Sequence, residues 1–321
     1  MKKSMLTLLC ISFSVSVIAQ NDTTGTKKDT TYWTKGGVIN INFSQVGLYN
    51  WAAGGENNIS VAGLFSAFAN YKKESTTWDN NLEMAYGNVK PGEKSFRKTD
   101  DRFEVNSKFG HLAINKWYYS ALFNFRTQFA DGIDFTNENN PTIISSALAP
   151  AYITLGIGMD YKPNDNFNIF ASPLTGRVTY VGWQSLADKG AFGVEKAQYD
   201  LSTGALLVKG KKVRNEFGAY FKMNWKKEIM KNVSFKTNLA LFSNYLDRPQ
   251  NIDILWDVLL ALKVNKYITA SVTTNLIYDN DIEITQYSKT INPLTGDRDI
   301  IGVGPRTQFK QVLAVGFSYK F

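Results

Sequence analysis

The single histidine of the chain, His111, is the residue type that most often carries acid–base or nucleophilic catalysis. Hydrolytic catalysis of that kind needs a histidine beside a serine and an acid that orients it. In the segment 101–114, His111 shares its parity with Phe109, so alternation predicts that it lies on the apolar face. Ser107 and Ser120 are near in sequence, but no acid is placed to orient either hydroxyl. The sequence therefore predicts that the protein is not an enzyme.

An acidic trio at alternating positions, Asp279, Asp281 and Glu283, offers the oxygen ligands that calcium prefers. The trio lacks the EF-hand spacing, and a solvated loop is the favoured interpretation. The one cysteine, Cys10, falls in an N-terminal apolar run that is expected to be removed, so no disulfide or cysteine metal site is expected. The sequence predicts no metal site and no cofactor.

Charged residues that alternate with apolar ones form the pattern with the most chemistry to offer. Alternation places them on one face of extended segments, as candidate lining residues of a polar interior: Arg102, Glu104, Lys108, Arg126, Arg214, Glu216, Lys222 and Lys310. An excess of fixed positive charge would make this interior a weakly anion-favouring pore. Ion pairs that plug the interior and hold it in shape are the alternative. Both interpretations remain open at the level of sequence.

The elements that carry these residues are long strands. Twelve segments have the strand pattern, near 38–48, 58–72, 76–89, 101–114, 116–130, 149–162, 165–181, 211–227, 232–246, 251–264, 266–280 and 306–321. Many are longer than the roughly 5–6 residues of a soluble strand, and they cover the roughly 9–11 residues that cross a membrane. Short connections alternate with longer ones, of which the largest are 182–210 and 281–305, as in bacterial outer-membrane barrels. We predict an all-β fold, a transmembrane antiparallel up-and-down β-barrel of about twelve strands, with ten or fourteen as alternatives.

One segment, IDILWDVLLAL at 252–262, fits two periods. Ile252, Leu255 and Leu259 form a helical stripe, whereas Ile252, Ile254 and Trp256 form one face of a strand. The tight connection VNK that follows, and the strong strand pattern after it, favour the strand.

The two ends of the chain indicate export. Residues 1–20 have a basic start, an apolar run and small residues near the end, which predicts a signal peptide cleaved near Ala19 or Gln20. Residues 21–32 read as a flexible periplasmic lead-in, and 33–321 as the barrel. The last segment alternates and ends on Phe321, which resembles the C-terminal signal that barrel-insertion machinery reads.

The start of the barrel carries the most distinctive motifs. Trp33 precedes Gly36 and Gly37 in WTKGG, and NWAAGGENN follows at 50–58. These suggest a glycine-rich tight turn and a tryptophan at the membrane interface, with an inward-folded constriction loop as the alternative. Together with the signal ending in AQ and the aromatic C-terminus, they resemble an uncharacterised Bacteroidetes-type outer-membrane β-barrel family, a domain of unknown function. The resemblance implies location and architecture, and it implies no catalytic residue or substrate.

We therefore expect a porin-like protein of the Gram-negative cell outer membrane. The leading hypothesis is a non-enzymatic barrel that passes or binds a small solute. The alternative is a structural or assembly partner in an outer-membrane complex that uses its long external loops. Membrane lipid, the insertion machinery and either a small solute or a protein are the expected partners. The net charge of +8 does not indicate nucleic acid, because no nucleic-acid motif accompanies it.

Overall fold

The computed structural model of the chain describes residues 32–49, 56–135, 137, 140–291 and 298–321. The predicted signal peptide and its cleavage site, the lead-in up to residue 31, and most of the NWAAGGENN motif lie outside the described residues. Pairing begins at Tyr32, whose carbonyl oxygen accepts a hydrogen bond from the Lys72 amide (2.8 Å).

Twelve strands form one closed barrel. In chain order they are β1 Trp33–Val46, β2 Asn58–Lys73, β3 Thr76–Pro91, β4 Arg97–Ile114, β5 Trp117–Thr127, β6 Ala151–Asn164, β7 Phe167–Tyr180, β8 Val213–Met230, β9 Val233–Asn244, β10 Ile252–Lys263, β11 Ile268–Tyr278 and β12 Gln308–Lys320. Each strand is antiparallel to the next, and β12 closes on β1 with Val38 opposite Lys320. The predicted all-β, antiparallel up-and-down barrel of about twelve strands is confirmed, and so is the strand interpretation of 252–262.

Short turns and long loops lie at opposite ends of the barrel, which we call the turn end and the loop end. The turn between β4 and β5 consists of Asn115 and Lys116, both with positive φ (43° and 70°). Positive φ at both central residues matches the right-handed twist of a hairpin, and asparagine tolerates it better than most residues. The other connections after even-numbered strands are 74–75, 165–166, 231–232 and 264–267, so the predicted short connections are confirmed.

The outer face is apolar and the inner face is polar. In β5, Tyr119 and Phe123 are exposed on the outside, whereas Ser120 and Leu122 are buried on the inside. Leu313 in β12 is 77% exposed on the outer face. Apolar surface of this extent is stable when lipid covers it, and a closed barrel leaves no unpaired strand edge in the hydrocarbon.

Aromatic side chains surround the turn end. Four ring pairs lie there on the outer face, with centroids 4.8–5.5 Å apart: Trp33–Tyr71, Trp117–Tyr161, Trp225–Phe235 and Tyr267–Phe317. Such a girdle is typical of a barrel at a membrane interface. The predicted interfacial position of Trp33 agrees with this arrangement.

The glycines of WTKGG lie inside β1, so the expected tight turn is wrong, and so is the constriction loop at this motif. The Gly37 amide donates to the Phe321 carbonyl oxygen (3.0 Å), and the Phe321 amide donates to the Gly37 carbonyl oxygen (3.1 Å). A Cβ atom on Gly37 would lie 2.7 Å from the Ser66 carbonyl oxygen and would also meet the Phe321 ring. Glycine is needed here because the terminal ring packs over the first strand as the barrel closes.

A bulge in β7 changes which side chains face inward. Ile157 and Met159 of β6 lie opposite Leu174 and Ala171, so β7 has one residue more than its neighbour between these positions. Pro173, which cannot donate to the ladder, lies within this bulge. Positions of opposite parity on its two sides, such as Phe170 and Thr175, therefore both face the interior and are buried.

The loop end carries folded loops. Residues 181–212 contain the short helix α1, Gln184–Asp188, a 3-10 turn at Ala191–Gly193, and a hairpin of Gln198–Tyr199 with Leu206–Val208. Val181, Leu186, Ala187 and Val194 form a small apolar core with Ala149. Two further hairpins pair Gly132–Asp134 with Thr142–Ser145 and Ile284–Ile291 with Arg298–Gly304. Among the described residues, no helix is long and apolar enough to cross a membrane.

Candidate functional site: the charged barrel interior

Hydrogen bonds that cross the barrel show which side chains point inward. Lys222 in β8 donates to the Asn106 side-chain oxygen in β4 (3.0 Å), although these strands are four apart around the barrel. Lys236 in β9 approaches Glu83 in β3, on the opposite wall, with Nζ 3.5 Å from Oε1. Side chains on distant strands can meet only through the interior. Both pairs therefore place their residues in the lumen.

Lys310 is a third example. Its ammonium lies 2.9 Å from the Asp100 carboxylate, and β12 and β4 are four strands apart. This predicted lining residue therefore also faces the interior, towards the loop end.

A compact ion-pair cluster lies beneath the loops, and we call it the loop-end cluster. Its members are Arg177, Arg214, Glu216, Asp253 and Asp281. The Arg177 guanidinium donates to both Glu216 oxygens (2.8 and 2.6 Å) and to Asp253 (2.6 Å). Arg214 donates to Glu216 (3.1 Å) and to Asp281. The Glu216 side chain is only 1% exposed, so its charge is neutralised by arginine and not by water.

The loop-end cluster also holds loops in place. Arg214 donates through Nη1 to the Gly193 carbonyl oxygen (3.3 Å), which belongs to the 3-10 turn in loop 181–212. Arg248, in the connection between β9 and β10, lies 3.5 Å from Asp281. Two separate loops therefore depend on the same group of charges.

The acidic trio of the sequence does not form a site of its own. Instead of standing in a solvated loop as expected, Asp281 joins Glu216 and Asp253, and oxygen atoms of these three carboxylates lie within 4.8 Å of one another. The two arginines of the cluster already bond these oxygens. Burial raises the pKa of the neighbouring Asp279 carboxyl, and the Arg177 charge opposes that rise.

A second paired cluster lies towards the turn end, and we call it the turn-end cluster. It consists of Asp79, Lys108, Asp160 and Lys162. Lys108 lies 2.7 Å from Asp160, and Lys162 lies 2.6 Å from Asp79 and 3.3 Å from Asp160. Asp160 is fully buried and also accepts from the Asn168 amide (3.2 Å). Lys108, predicted as a lining residue, is therefore held in a buried ion pair.

Between these two lies the central cluster, formed by Arg102, Glu104, Arg126 and Lys222. Glu104 lies directly opposite Arg126 in the ladder between β4 and β5. One Glu104 carboxylate oxygen accepts from the side-chain amides of Asn106 and Asn124 (2.9 Å each). Since Lys222 donates to the same Asn106, the three strands β4, β5 and β8 share one polar network.

Water reaches the charges near the central cluster. The Lys236 side chain is 45% exposed and that of Glu83 is 21% exposed, although both point into the barrel. Asp160 and Glu216, by contrast, are buried. The interior is therefore crossed by side chains at intervals and hydrated between them.

All eight sequence-predicted lining residues thus take part in three clusters and one separate pair. Sequence reasoning missed Asp100, Asp160, Lys162 and Arg177. Alternation in β6 would have identified Asp160, which shares its parity with Lys162. Alternation does not identify Arg177, because the bulge at Pro173 shifts which positions of β7 face inward.

His111 and Ser120 lie on opposite sides of the barrel wall, and the hydroxyl of Ser107 is already hydrogen-bonded. His111 is exposed on the outer face, whereas Ser120 is buried on the inner face. Ser107 donates to the Asn80 side-chain oxygen (2.7 Å) and accepts from the Trp78 indole (2.8 Å). Neither serine is therefore presented to the histidine as a nucleophile.

Comparison with known proteins supports the family resemblance. Residues 43–133 match a family described as "Protein of unknown function (DUF3078)". This match, which spans the end of β1 and the whole of β2, β3, β4 and β5, confirms the resemblance to a domain of unknown function. No curated protein matches the chain significantly.

Several solved outer-membrane proteins are similar in structure. An outer-membrane channel from Pseudomonas putida F1 is 9% identical, with a TM-score of 0.37, covering 91% of this chain and 96% of its own. The NanC porin is 10% identical, with a TM-score of 0.36, covering 87% and 98%. The translocator domain of the autotransporter NalP from Neisseria meningitidis is 10% identical, with a TM-score of 0.34, covering 92% and 90%. The fold of this chain, with its closed ladder and apolar outer face, is that of an outer-membrane β-barrel.

Proposed function

We propose that this chain is an integral, non-enzymatic barrel of the outer membrane whose hydrated interior passes or binds a small polar solute. Residues 1–20 would direct export and be removed near Ala19 or Gln20. The insertion machinery would recognise the final strand with Phe321, and membrane lipid would cover the outer face.

One observation carries the proposal: charged side chains meet across the lumen and still reach water. The bridge between Lys236 and Glu83 spans opposite walls, yet Lys236 is 45% exposed. Side chains fill the interior of an eight-stranded barrel, and a twelve-stranded barrel is wider. The contacts would then narrow a water-filled passage without filling it.

Single-channel recording tests this proposal. The mature protein, refolded and inserted in a planar bilayer in KCl, should give small, steady current steps. Lys236→Ala should give larger steps, because it removes the side chain that crosses the lumen. Lys227→Ala is the matched control, because Lys227 lies opposite Phe235 on the outer face, and its current should equal that of the wild type.

Gel migration is the control for folding, because a folded barrel migrates as a compact species until it is heated. If wild type and Lys236→Ala are both folded and inserted but carry no current, passage through the barrel is wrong.

A second candidate function is an assembly partner that contacts another protein through the loop end. Exposed apolar side chains on two hairpins favour it, among them Leu207, Ile301 and Val303. Deletion of 182–210 should then abolish co-purification of a specific outer-membrane protein while the barrel remains folded. Co-purification that survives both this deletion and substitution of Ile301 and Val303 by serine would contradict it.

A further inference from the structure

Three cations near the middle of the wall have unused hydrogen-bonding capacity. Among the described residues, the structure records no hydrogen bond or ion pair for the Arg126 guanidinium. Lys222 has one recorded hydrogen bond, to the neutral Asn106 side chain. The nearest carboxylate contact of Arg102 is 3.7 Å from Glu83, and its buried Nε has no hydrogen-bond partner.

The nearby carboxylates do not use up this capacity. Glu104 directs one oxygen to two amides, those of Asn106 and Asn124, and not to a guanidinium. Glu83 is shared between Arg102 and Lys236, at 3.7 and 3.5 Å. Glu83 is the direct ladder partner of Glu104, and Glu83 and Asp257 both act electrostatically on Arg102 and Lys222. The central cluster therefore offers an anion the unused N–H donors of its cations, and not an excess of charge.

The three cations are also close enough to act together. Arg126 is the ladder partner of Glu104, and residues directly opposite in such a pair have Cα atoms roughly 5 Å apart. Arg102 is two positions from Glu104 on the same face, roughly 7 Å along the strand. Lys222 reaches the same place from β8 through Asn106.

We infer that the central cluster is a binding site for a small oxyanion, a solute with a carboxylate or phosphate group held by Arg126, Arg102 and Lys222. The inference rests on the proposed function and names the class of its solute. A guanidinium offers two parallel N–H donors that match a carboxylate or phosphate edge, and the lysine adds a point charge. Glu104 would orient the two arginines and limit the affinity, as a site that must release its ligand requires.

The other two clusters do not offer this chemistry. In the loop-end cluster Arg177 is bonded to two carboxylates and Arg214 to two, so their donors are already used. In the turn-end cluster two lysines face two aspartates. An anion entering either place would have to displace a carboxylate.

Inorganic phosphate is the probe for this site. Current through the wild type under a KCl gradient should reverse at a potential that indicates anion preference, and phosphate should block it. Arg126→Gln should weaken the apparent phosphate affinity roughly tenfold or more, which corresponds to one charge-assisted hydrogen bond. The phosphate affinity of Arg126→Lys should lie between those of the wild type and Arg126→Gln, because lysine keeps the charge but lacks the two parallel N–H donors of a guanidinium.

A lysine outside the barrel is the control for net charge. Lys211 is 64% exposed in loop 181–212, and Lys211→Gln removes one positive charge without touching the lumen. Its phosphate affinity should equal that of the wild type. An Arg126→Gln protein with wild-type phosphate affinity, or a wild type with cation preference, would overturn the anion site.

An equilibrium measurement separates this inference from the proposed passage. Phosphate binding to the folded protein in detergent micelles can be followed by 31P NMR without any current. Phosphate binding that Arg126→Gln weakens roughly tenfold or more supports the site even if the protein is silent in the bilayer, in which case passage alone is wrong. Absence of binding in the wild type overturns the site, even if the protein conducts.

Discussion

The loop-end cluster and the central cluster use the same residue types in one barrel, but their charges are matched differently. In the loop-end cluster the Arg177 guanidinium lies 2.6 Å from Glu216 and 2.6 Å from Asp253, and Glu216 is shielded from water. In the central cluster Arg126 has no hydrogen bond or ion pair among the described residues, and the nearby Lys236 side chain, which crosses the lumen, is 45% exposed. A buried charge must be paired, whereas a hydrated charge need not be. This difference is the basis of our proposal that one cluster maintains the structure and that the other is available to a solute.

The largest expected effect is on the loop-end cluster. Arg177→Met should lower the free energy of unfolding by about 3 kcal/mol or more, because it leaves Glu216 buried with one of its two cations. Urea titration of the refolded protein in lipid vesicles, followed by tryptophan fluorescence, measures this change.

The double variant Arg177→Met, Glu216→Leu is the control for that experiment. Replacing both partners with apolar groups should recover a large part of the lost free energy. A double variant as unstable as the sum of the two single variants would mean that the two residues do not interact energetically.

The corresponding change in the central cluster should be much smaller. Arg126→Gln should alter the free energy of unfolding by less than about 1 kcal/mol, because Arg126 makes no hydrogen bond or ion pair among the described residues and Glu104 keeps its two amide donors. The same urea titration makes the comparison direct. If Arg126→Gln destabilises the barrel as much as Arg177→Met does, the distinction between a structural cluster and a binding cluster is wrong.

The smallest expected effect concerns loop 181–212, which the loop-end cluster holds in place. The Gln184 side chain and the Gly210 amide donate to the Asp188 carboxylate, and these hydrogen bonds lower its pKa below the ordinary value. A carboxyl with a lowered folded-state pKa stabilises the fold above its unfolded pKa, and that contribution is lost as the pH falls through the folded-state value. Limited proteolysis of the loop should therefore be slow at neutral pH and faster in acid.

Asp188→Asn tests the origin of that effect. The variant should be cleaved faster than the wild type at neutral pH, and its cleavage should depend less on pH. Equal cleavage of the two proteins at neutral pH would show that Arg214 and the apolar core hold the loop without help from Asp188.

Much of the fold could be predicted because a membrane-crossing strand must alternate. In β5, Tyr119 and Phe123 face lipid and Ser120 faces the interior because successive side chains point to opposite faces. The same rule placed Arg102, Arg126 and Lys222 in the lumen. The turn predicted at WTKGG is wrong because glycine allows a turn and equally allows another side chain to approach a strand.

The clusters could not be predicted, because their members come from distant parts of the chain. Lys236 in β9 meets Glu83 in β3 only because the barrel closes and brings these opposite walls within reach of one lysine, although five strands separate the two along the chain. Whether a cation finds a carboxylate depends on its height in the barrel and on the register of each pair. Neither quantity is contained in the alternation of one strand.

The sequence by itself determined the class of the barrel and the positions of its short turns, and it predicted about twelve strands and an inward direction for eight charged residues. These follow from local rules: period two, turn chemistry, and the length that a membrane imposes. Only the tertiary structure decided that Arg214 and Glu216 are paired, that Arg126 has no ion pair within the described part of the chain, and that Arg177 faces inward. The physical reason for the first two is that pairing depends on distances across the closed barrel. The reason for Arg177 is the bulge at Pro173, which reverses the inward and outward alternation of β7 at that point.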